Sequence, residues 1–340
     1  MKIVVFTNNV ISPIENLLGL VTIVKSSEEQ IDFICVHPKK NSFISFDDDF
    51  FSICTFVSSE SSWTIFRHIL SADIVIGMPW IYFPLRILSR FRFLNFLSLY
   101  IGPGKVTKAI GYYKHPERGH LNQLKMFIKF IILNNYYLAN DEHDRLYLAA
   151  AFGYPLGRII ISKLPKYFYI NKKLSRYSTD DRNVGILFAP THRWSNKIPP
   201  LTEILSNPQK LKKLKLDKIS IFHSKHPETK SMLLDSSISD FNDQWSDIDI
   251  LVTDYSSIGE DFLNSGGKHI IYFIPDRTNF EENQGKGILF DTILSKGHVC
   301  FTELELFDKL NELIKENIHY DSRERFSEPN YFSRIIKKKQ

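Results

Sequence analysis

Short apolar runs alternate with amphipathic stretches along nearly the whole chain. Residues 2–6 (KIVVF), 31–36 (IDFICV), 73–77 (DIVIG) and 136–139 (YYLA) read as strands in the first half. In the second half 184–188 (VGILF), 219–223 (ISIFH), 249–253 (DILVT) and 269–274 (HIIYFI) do the same. Between them, helical patterns lie near 13–25, 62–70, 118–133, 142–152, 200–214, 255–265 and 303–316. Buried strands interleaved with helices predict parallel sheets in doubly wound α/β domains. The stretch 162–183 is polar, basic and aperiodic. It divides the chain into a domain over 1–162, a linker over 163–183 and a second domain over 184–335. The expectation is two Rossmann-like halves with a cleft between them.

Length and composition fit that picture. A chain of 340 residues exceeds what one core usually serves, and 43% hydrophobic with 24% charged residues is ordinary for a soluble globular protein. Lys and Arg number 43 against 38 Asp and Glu, a net charge of +5, which suits an anionic substrate or membrane surface and also a neutral-ligand enzyme. Cys35, Cys54 and Cys300 are scattered, odd in number and without CxxC spacing, so they read as reduced core residues of a cytosolic protein. MKIVVFTNN reads as a first strand, not a signal peptide, and no stretch reaches the roughly 18 apolar residues of a spanning helix.

What ends the strands matters more than the strands themselves. The run ILV stops at Asp254, Tyr255, Ser256 and Ser257, followed by a helix-like pattern. In open α/β sheets ligands bind beyond the carboxyl ends of strands, and hydroxyls at a helix start can seat a phosphate. An ordinary Ser N-cap with Glu260 and Asp261 in the first turn satisfies the same spacing. The strand ISIFH runs into Ser224, Lys225, His226 and Pro227. His226 before proline is held in a turn, where with Lys225 and His223 it could counter charge on a pyrophosphate or lie in a solvated loop. The strand VGILFA runs into Pro190, Thr191, His192 and Arg193, with Arg193 suited to a bidentate phosphate contact and Thr191 to a hydroxyl contact. One such strand end is unremarkable; three on one sheet edge suggest a site.

Other motifs are absent or ambiguous. No GxGxxG follows the first strand, and IGPGKVT (101–107) lacks both the first Gly and the Ser/Thr of a Walker motif. DID (247–249) starts a strand and reads poorly as a metal site. The basic turn over 102–120 contains Gly104, Lys105, Lys108, His115 and His120, offering close backbone approach, charge and proton transfer, or simply a flexible loop. FPLRILSRFRFLNF (83–96) and LNQLKMFIKFIILNNYY (121–137) interleave Arg and Lys with Phe and Leu. Such segments fit helices lying on anionic lipid, or packed helices whose cations snorkel outward.

Taken in order, these motifs resemble the CDP-glycerol glycerophosphotransferase family of teichoic-acid and capsular polymer synthesis, over about 135–313. ILFAPTHR resembles its LYAPTxR, IFHSKHP its KxHP, and DILVTDYSSIGEDF its signature DxLITDYSSxxFDF. Residues 140–167 resemble the interdomain stretch ending in Gly-x-Pro-Arg, with Lys163, Pro165 and Lys166 at those positions. YFIPDRTNFEENQGKGILFD (272–291) follows at the usual spacing. The resemblance implies the GT-B fold, two facing Rossmann-like domains, and an enzyme that transfers polyol phosphate from CDP-glycerol or a related CDP-polyol with release of CMP. It implies a lipid-linked or polysaccharide acceptor, an anionic membrane surface at the cytoplasmic face, no nucleic-acid partner and neither cofactor nor metal.

Carried onto matching positions, Ser256, Ser257, Thr191 and Arg193 would hold donor phosphate, with Asp254 and Lys225 beside them, and His226 would stabilise the departing CMP. The departure lies in the first half. Matching Gly104, Lys108 and Gly111 to the family's HGxPLKxxG places Pro103 at the histidine expected to act as base. Proline accepts no proton, so either the loop aligns differently, or His115 or His120 takes the place of the base, or this branch performs a different transfer. The same departure leaves open a nucleotide-sugar glycosyltransferase of GT-B type and a non-catalytic nucleotide-binding homologue.

Overall fold

The computed structural model describes residues 1–6, 14–37, 53–58, 61–77, 82–90, 93–101, 136–174, 183–191, 198–214, 219–224, 238–241, 245–284, 290–315, 326 and 330–337. The chain forms two compact units. Met1–Lys105, Gly111–Tyr169 and Phe326–Gln340 build the first, and Ile170–Arg325 belong to the second.

The first unit holds seven strands: β1 (Lys2–Phe6), β2 (Asp32–His37), β3 (Cys54–Ser58), β4 (Ile74–Ile76), β5 (Leu97–Ile101), β6 (Tyr136–Ala139) and β7 (Ile159–Ile161). All pair in parallel, in the order β3-β2-β1-β4-β5-β6-β7. Its helices are α1 (Ile14–Ser26), α2 (Ser62–Leu70), α3 (Phe83–Arg90) and α4 (Glu142–Phe152), and α5 (Pro165–Leu174) carries the chain into the second unit. Strands buried on both faces need a helical layer on each side. One layer is α1, whose Leu17, Leu20 and Val21 share a core with Ile3, Val5 and Phe33. The other includes α2 and α3, whose Ile65, Ile69 and Leu85 cover Val4, Phe6 and Ile34.

The second unit holds β8 (Val184–Ala189), α6 (Pro200–Leu205), α7 (Pro208–Leu211), β9 (Ile219–His223), β10 (Ile238–Asp240), β11 (Ile250–Thr253), α8 (Ile258–Asn264), β12 (His269–Phe273), α9 (Arg277–Gln284), α10 (Phe290–Leu294), β13 (His298–Cys300) and α11 (Glu303–Lys315). Its parallel sheet runs β10-β9-β8-β11-β12-β13. That is the doubly wound order in which the winding reverses between the first strand and the fourth, here β8 and β11. The last helix, α12 (Tyr331–Lys337), belongs to the first unit, where Tyr331, Phe332 and Ile335 join the α1 core.

Three local readings change. The pattern over 200–214 is two helices, because Pro208 cannot donate to the preceding turn and the Asn207 side chain accepts from Gln209 and Lys210 to start a new helix. The expected helix over 255–265 is shortened to Ile258–Asn264, since Asp254–Ser257 form the turn. Within 163–183, Pro165–Leu174 is helical rather than aperiodic, with Tyr167, Phe168, Ile170 and Leu174 buried. It lies so close to α1 that a Cβ on Gly19 would stand 1.9 Å from the Pro165 carbonyl oxygen. The pattern over 118–133 lies outside the described residues.

Candidate functional site

The sheet order sets three strand ends side by side. β9, β8 and β11 are neighbours, with Phe188 opposite His223 and Ala189 opposite Thr253, and all three run the same way. Their carboxyl ends therefore open on one edge. The connections after β8 and β11 depart in opposite directions from this switch point, which is where an open α/β sheet leaves a crevice for ligand.

A buried carboxylate joins the two sides of the switch point. Asp254, 1% exposed, accepts at Oδ1 from the Thr191 N–H at 2.9 Å and from the Tyr255 N–H at 2.6 Å. Thr253 Oγ1 adds a donation to the Ala189 carbonyl at 2.7 Å. At the opposite end of the same strand pair, Asp249 Oδ2 accepts from the Gly185 N–H at 2.9 Å. A Cβ on Gly185 would lie 1.5 Å from the Asp247 carbonyl oxygen, so only glycine admits this approach. The carboxylates of DILVTD thus clasp β8 to β11 at both ends. Asp247 in turn accepts from the Ser246 hydroxyl at 3.1 Å.

The two serines sit differently from a simple cap. Ser257 is in the right-handed helical region and its side chain makes no capping hydrogen bond. Ser256 Oγ accepts from the Ile258 N–H only at 3.4 Å. Both are half-buried. Glu260 does not complete a capping box. Its fully buried carboxylate takes the Lys296 ammonium at 3.1 Å and the Asn264 amide at 3.2 Å. With seven residues, α8 lends little dipole to an anion, so anion affinity here must come from the hydroxyls and from cations on neighbouring strand ends. Gly259 matters for packing, since a Cβ there would lie 2.8 Å from the Tyr272 hydroxyl. Burial, and then Glu260, push that phenol well up.

The same edge continues at β12, which sequence spacing did not single out. Tyr255 stacks flat on Phe280 of α9, centroids 3.6 Å apart and 6° between planes, and its hydroxyl donates to Asp276 at 3.0 Å. Arg277 then binds Glu281 and Asp291, each at 2.8 Å, which raises its pKa and ties α9 to α10. The signal was present: Asp276 follows the apolar run YFI, as Asp254 follows ILV.

Of the candidate residues, the structure describes Thr191, Asp254, Ser256 and Ser257 and brings them to one strand-end cluster. Thr191 is buried and fixed through its backbone. His223, at the end of β9, is also buried. Lys225 and His226, next along from Ser224, lie outside the described residues, as do Arg193, Gly104, Lys105, Lys108, His115, His120 and Pro103.

Known structures share this architecture. The wall teichoic acid polymerase TagF aligns over 99% of this chain and 88% of its own at a TM-score of 0.63 and 15% identity. The UDP-GlcNAc 2-epimerase from Neisseria meningitidis, solved with UDP-GlcNAc, aligns over 99% of both chains at 0.53 and 12%. No curated protein matches the chain by sequence. Two Rossmann-like parallel-sheet units, the second with its switch point laid out as above, define an α/β protein of the GT-B class. The profile of the CDP-glycerol:poly(glycerophosphate) glycerophosphotransferases matches residues 61–334, and the chain belongs to that family of transferases.

Proposed function

We propose that this enzyme moves a polyol phosphate from CDP-glycerol, or a related CDP-polyol, to a hydroxyl of a lipid-linked or polysaccharide acceptor at the cytoplasmic face of the membrane. The product would be a teichoic-acid-like or capsular polymer. The observation that carries the reading is the clasped switch point, where Ser256 and Ser257 lie beside the strand end bearing Thr191 and two strands from the end that leads to His226.

In this reading the acceptor oxygen attacks the glycerol-side phosphorus of the donor. The bond from that phosphorus to the bridging oxygen breaks, and CMP leaves with the electron pair. Ser256 and Ser257 hold donor phosphate through their hydroxyls, with Arg193 and Lys225 supplying positive charge. Asp254 acts by fixing the turns, because a carboxylate would repel phosphate and its Oδ1 already serves two N–H groups. His226 stabilises the pyrophosphate as charge develops on CMP, and His115 or His120 takes the acceptor proton in place of Pro103. Such a displacement depends on positioning and charge stabilisation more than on covalent help.

Donor choice is tested by calorimetry and thermal shift with CDP-glycerol, CDP-ribitol and UDP-N-acetylglucosamine. Saturation at about 100 times Kd stabilises the fold by about 2.7 kcal/mol, and that shift is expected for a CDP-polyol alone. A shift with the nucleotide sugar alone would establish the second reading, a glycosyltransferase, which Pro103 favours.

A further inference from the structure

The turn that carries Ser256 and Ser257 does not hold its own shape. Ser257 makes no side-chain cap bond, the Ser256 hydroxyl meets the Ile258 N–H only at 3.4 Å, and α8 behind them has seven residues. A helix that short has little stability of its own. What fixes the serines must come from outside, and the structure supplies it on both sides of them. Before them, Tyr255 is held by the Phe280 ring and the Asp276 carboxylate. After them, Glu260 is held by Lys296, whose ammonium reaches both carboxylate oxygens at 3.1 Å. Both grips come from one segment, residues 276–296. Arg277 binds that segment together through Glu281 and Asp291, and Ile293 and Leu294 of α10 are buried.

Glu260 is an unusual residue for its place. It is fully buried, at the position where DxLITDYSSxxFDF carries its first Phe. Exchanging a buried apolar side chain for an ion pair seldom adds stability, because desolvating two charges offsets their attraction. The exchange does add direction. A ring can shift within an apolar pocket, whereas a carboxylate gripped by one ammonium at both oxygens, and by the Asn264 amide at 3.2 Å, has one placement. Lys296 is itself set in position. Its N–H is bonded to the Ile293 carbonyl at 3.1 Å, and at the next residue a Cβ on Gly297 would stand 2.9 Å from the Ile270 carbonyl oxygen of β12. We infer that Lys296 and Glu260 are a positioning pair for donor binding, closing residues 276–296 as a clamp across Ser256 and Ser257, given the reading of those serines as phosphate ligands. Their part is to set the turn rather than to touch the donor.

The test compares Lys296→Met, Glu260→Gln and their double variant with the wild type, in the full chain, and uses Lys296→Arg as the conservative control. Lys296 is 38% exposed, so its replacement opens no core cavity; Lys296→Gln takes the place of the methionine variant if that does not fold. KM and kcat are measured with CDP-glycerol, and hydrogen exchange of the amides of residues 255–258 is followed without donor. Lys296→Met should raise donor KM about tenfold with kcat within about twofold, the size expected when binding groups are misplaced. It should also speed exchange at 255–258 more than within β11. Lys296→Arg should restore both readings, and the double variant should lose no more than either single one, because the two side chains act as a unit. A pair that only stabilises the fold would lower the melting temperature and leave donor KM and local exchange unmoved. That result would overturn the inference, as would KM losses that multiply in the double variant. If the wild type turns over no CDP-polyol, the donor reading fails by itself, and the exchange comparison still decides whether the pair holds the turn.

Discussion

Asp254 and Thr191 are 63 positions apart in sequence, and the carboxylate of one holds the backbone N–H of the other at 2.9 Å across the switch point of the second sheet. The same oxygen holds the Tyr255 N–H, so one buried atom fixes both turns that flank the candidate site. Asp254→Ala leaves two buried donors unsatisfied and is expected to cost about 2–4 kcal/mol in chemical denaturation, with weaker donor binding. Asp254→Asn keeps an acceptor oxygen and should stay within about 1 kcal/mol of wild type. Equal losses in the two variants would mean that charge, not the clasp, is what the position supplies.

Ser257 separates the two meanings of its motif. Its side chain makes no cap bond, so Ser257→Ala should leave the melting temperature unchanged while raising the KM for donor about tenfold, as the loss of a hydrogen bond to a charged group would. Ser256→Ala should behave alike, with a small stability loss because its bond to the Ile258 N–H is long. Were Ser257 only a cap, the pattern would invert, with about 1 kcal/mol of stability lost and KM unmoved.

Tyr255 links the signature turn to α9. Tyr255→Phe keeps the stack on Phe280 and loses only the bond to Asp276, about 1 kcal/mol. Tyr255→Leu loses the ring contact too, about 0.5–1.5 kcal/mol more. If α9 helps shape the donor site, only the leucine variant should show a marked rise in donor KM, measured alongside kcat.

The thiols give a pH prediction. Burial pushes Cys54 from 9.0 up to about 12 and Cys300 up to about 11, and raises Cys35 as well. The folded state therefore holds these protons more tightly than the unfolded chain. Their contribution is fully present below pH 9 and is lost as pH climbs from 9 towards 12. Denaturation midpoints should fall over that window. At neutral pH a thiol reagent should label the three cysteines only as fast as the protein opens.

Strands such as KIVVF and VGILF were legible because a parallel strand covered on both faces is a continuous apolar run. The helix at Pro165 was not, because Lys163, Lys166, Lys172 and Lys173 dilute its pattern, yet Lys166 is 1% exposed beneath Asn16. β7 and β13, three residues each, are too short to carry a period. At the candidate site, order along the chain pointed to the three strand ends that the second sheet sets side by side. Spacing could not tell whether Asp254 faces a ligand or a backbone N–H, since a carboxylate at a strand end serves either. Nor could it show that Tyr255 spans to Phe280, a contact set by the β11–β12 pairing.

The most direct test of the central claim is CMP release from CDP-glycerol, followed with and without a lipid-linked polyol-phosphate acceptor, in the wild type and in His226→Ala. Acceptor-dependent CMP release is expected from the wild type and should be lost in the variant, which should still fold. No CMP from any CDP-polyol, with turnover of a nucleotide sugar instead, would contradict it.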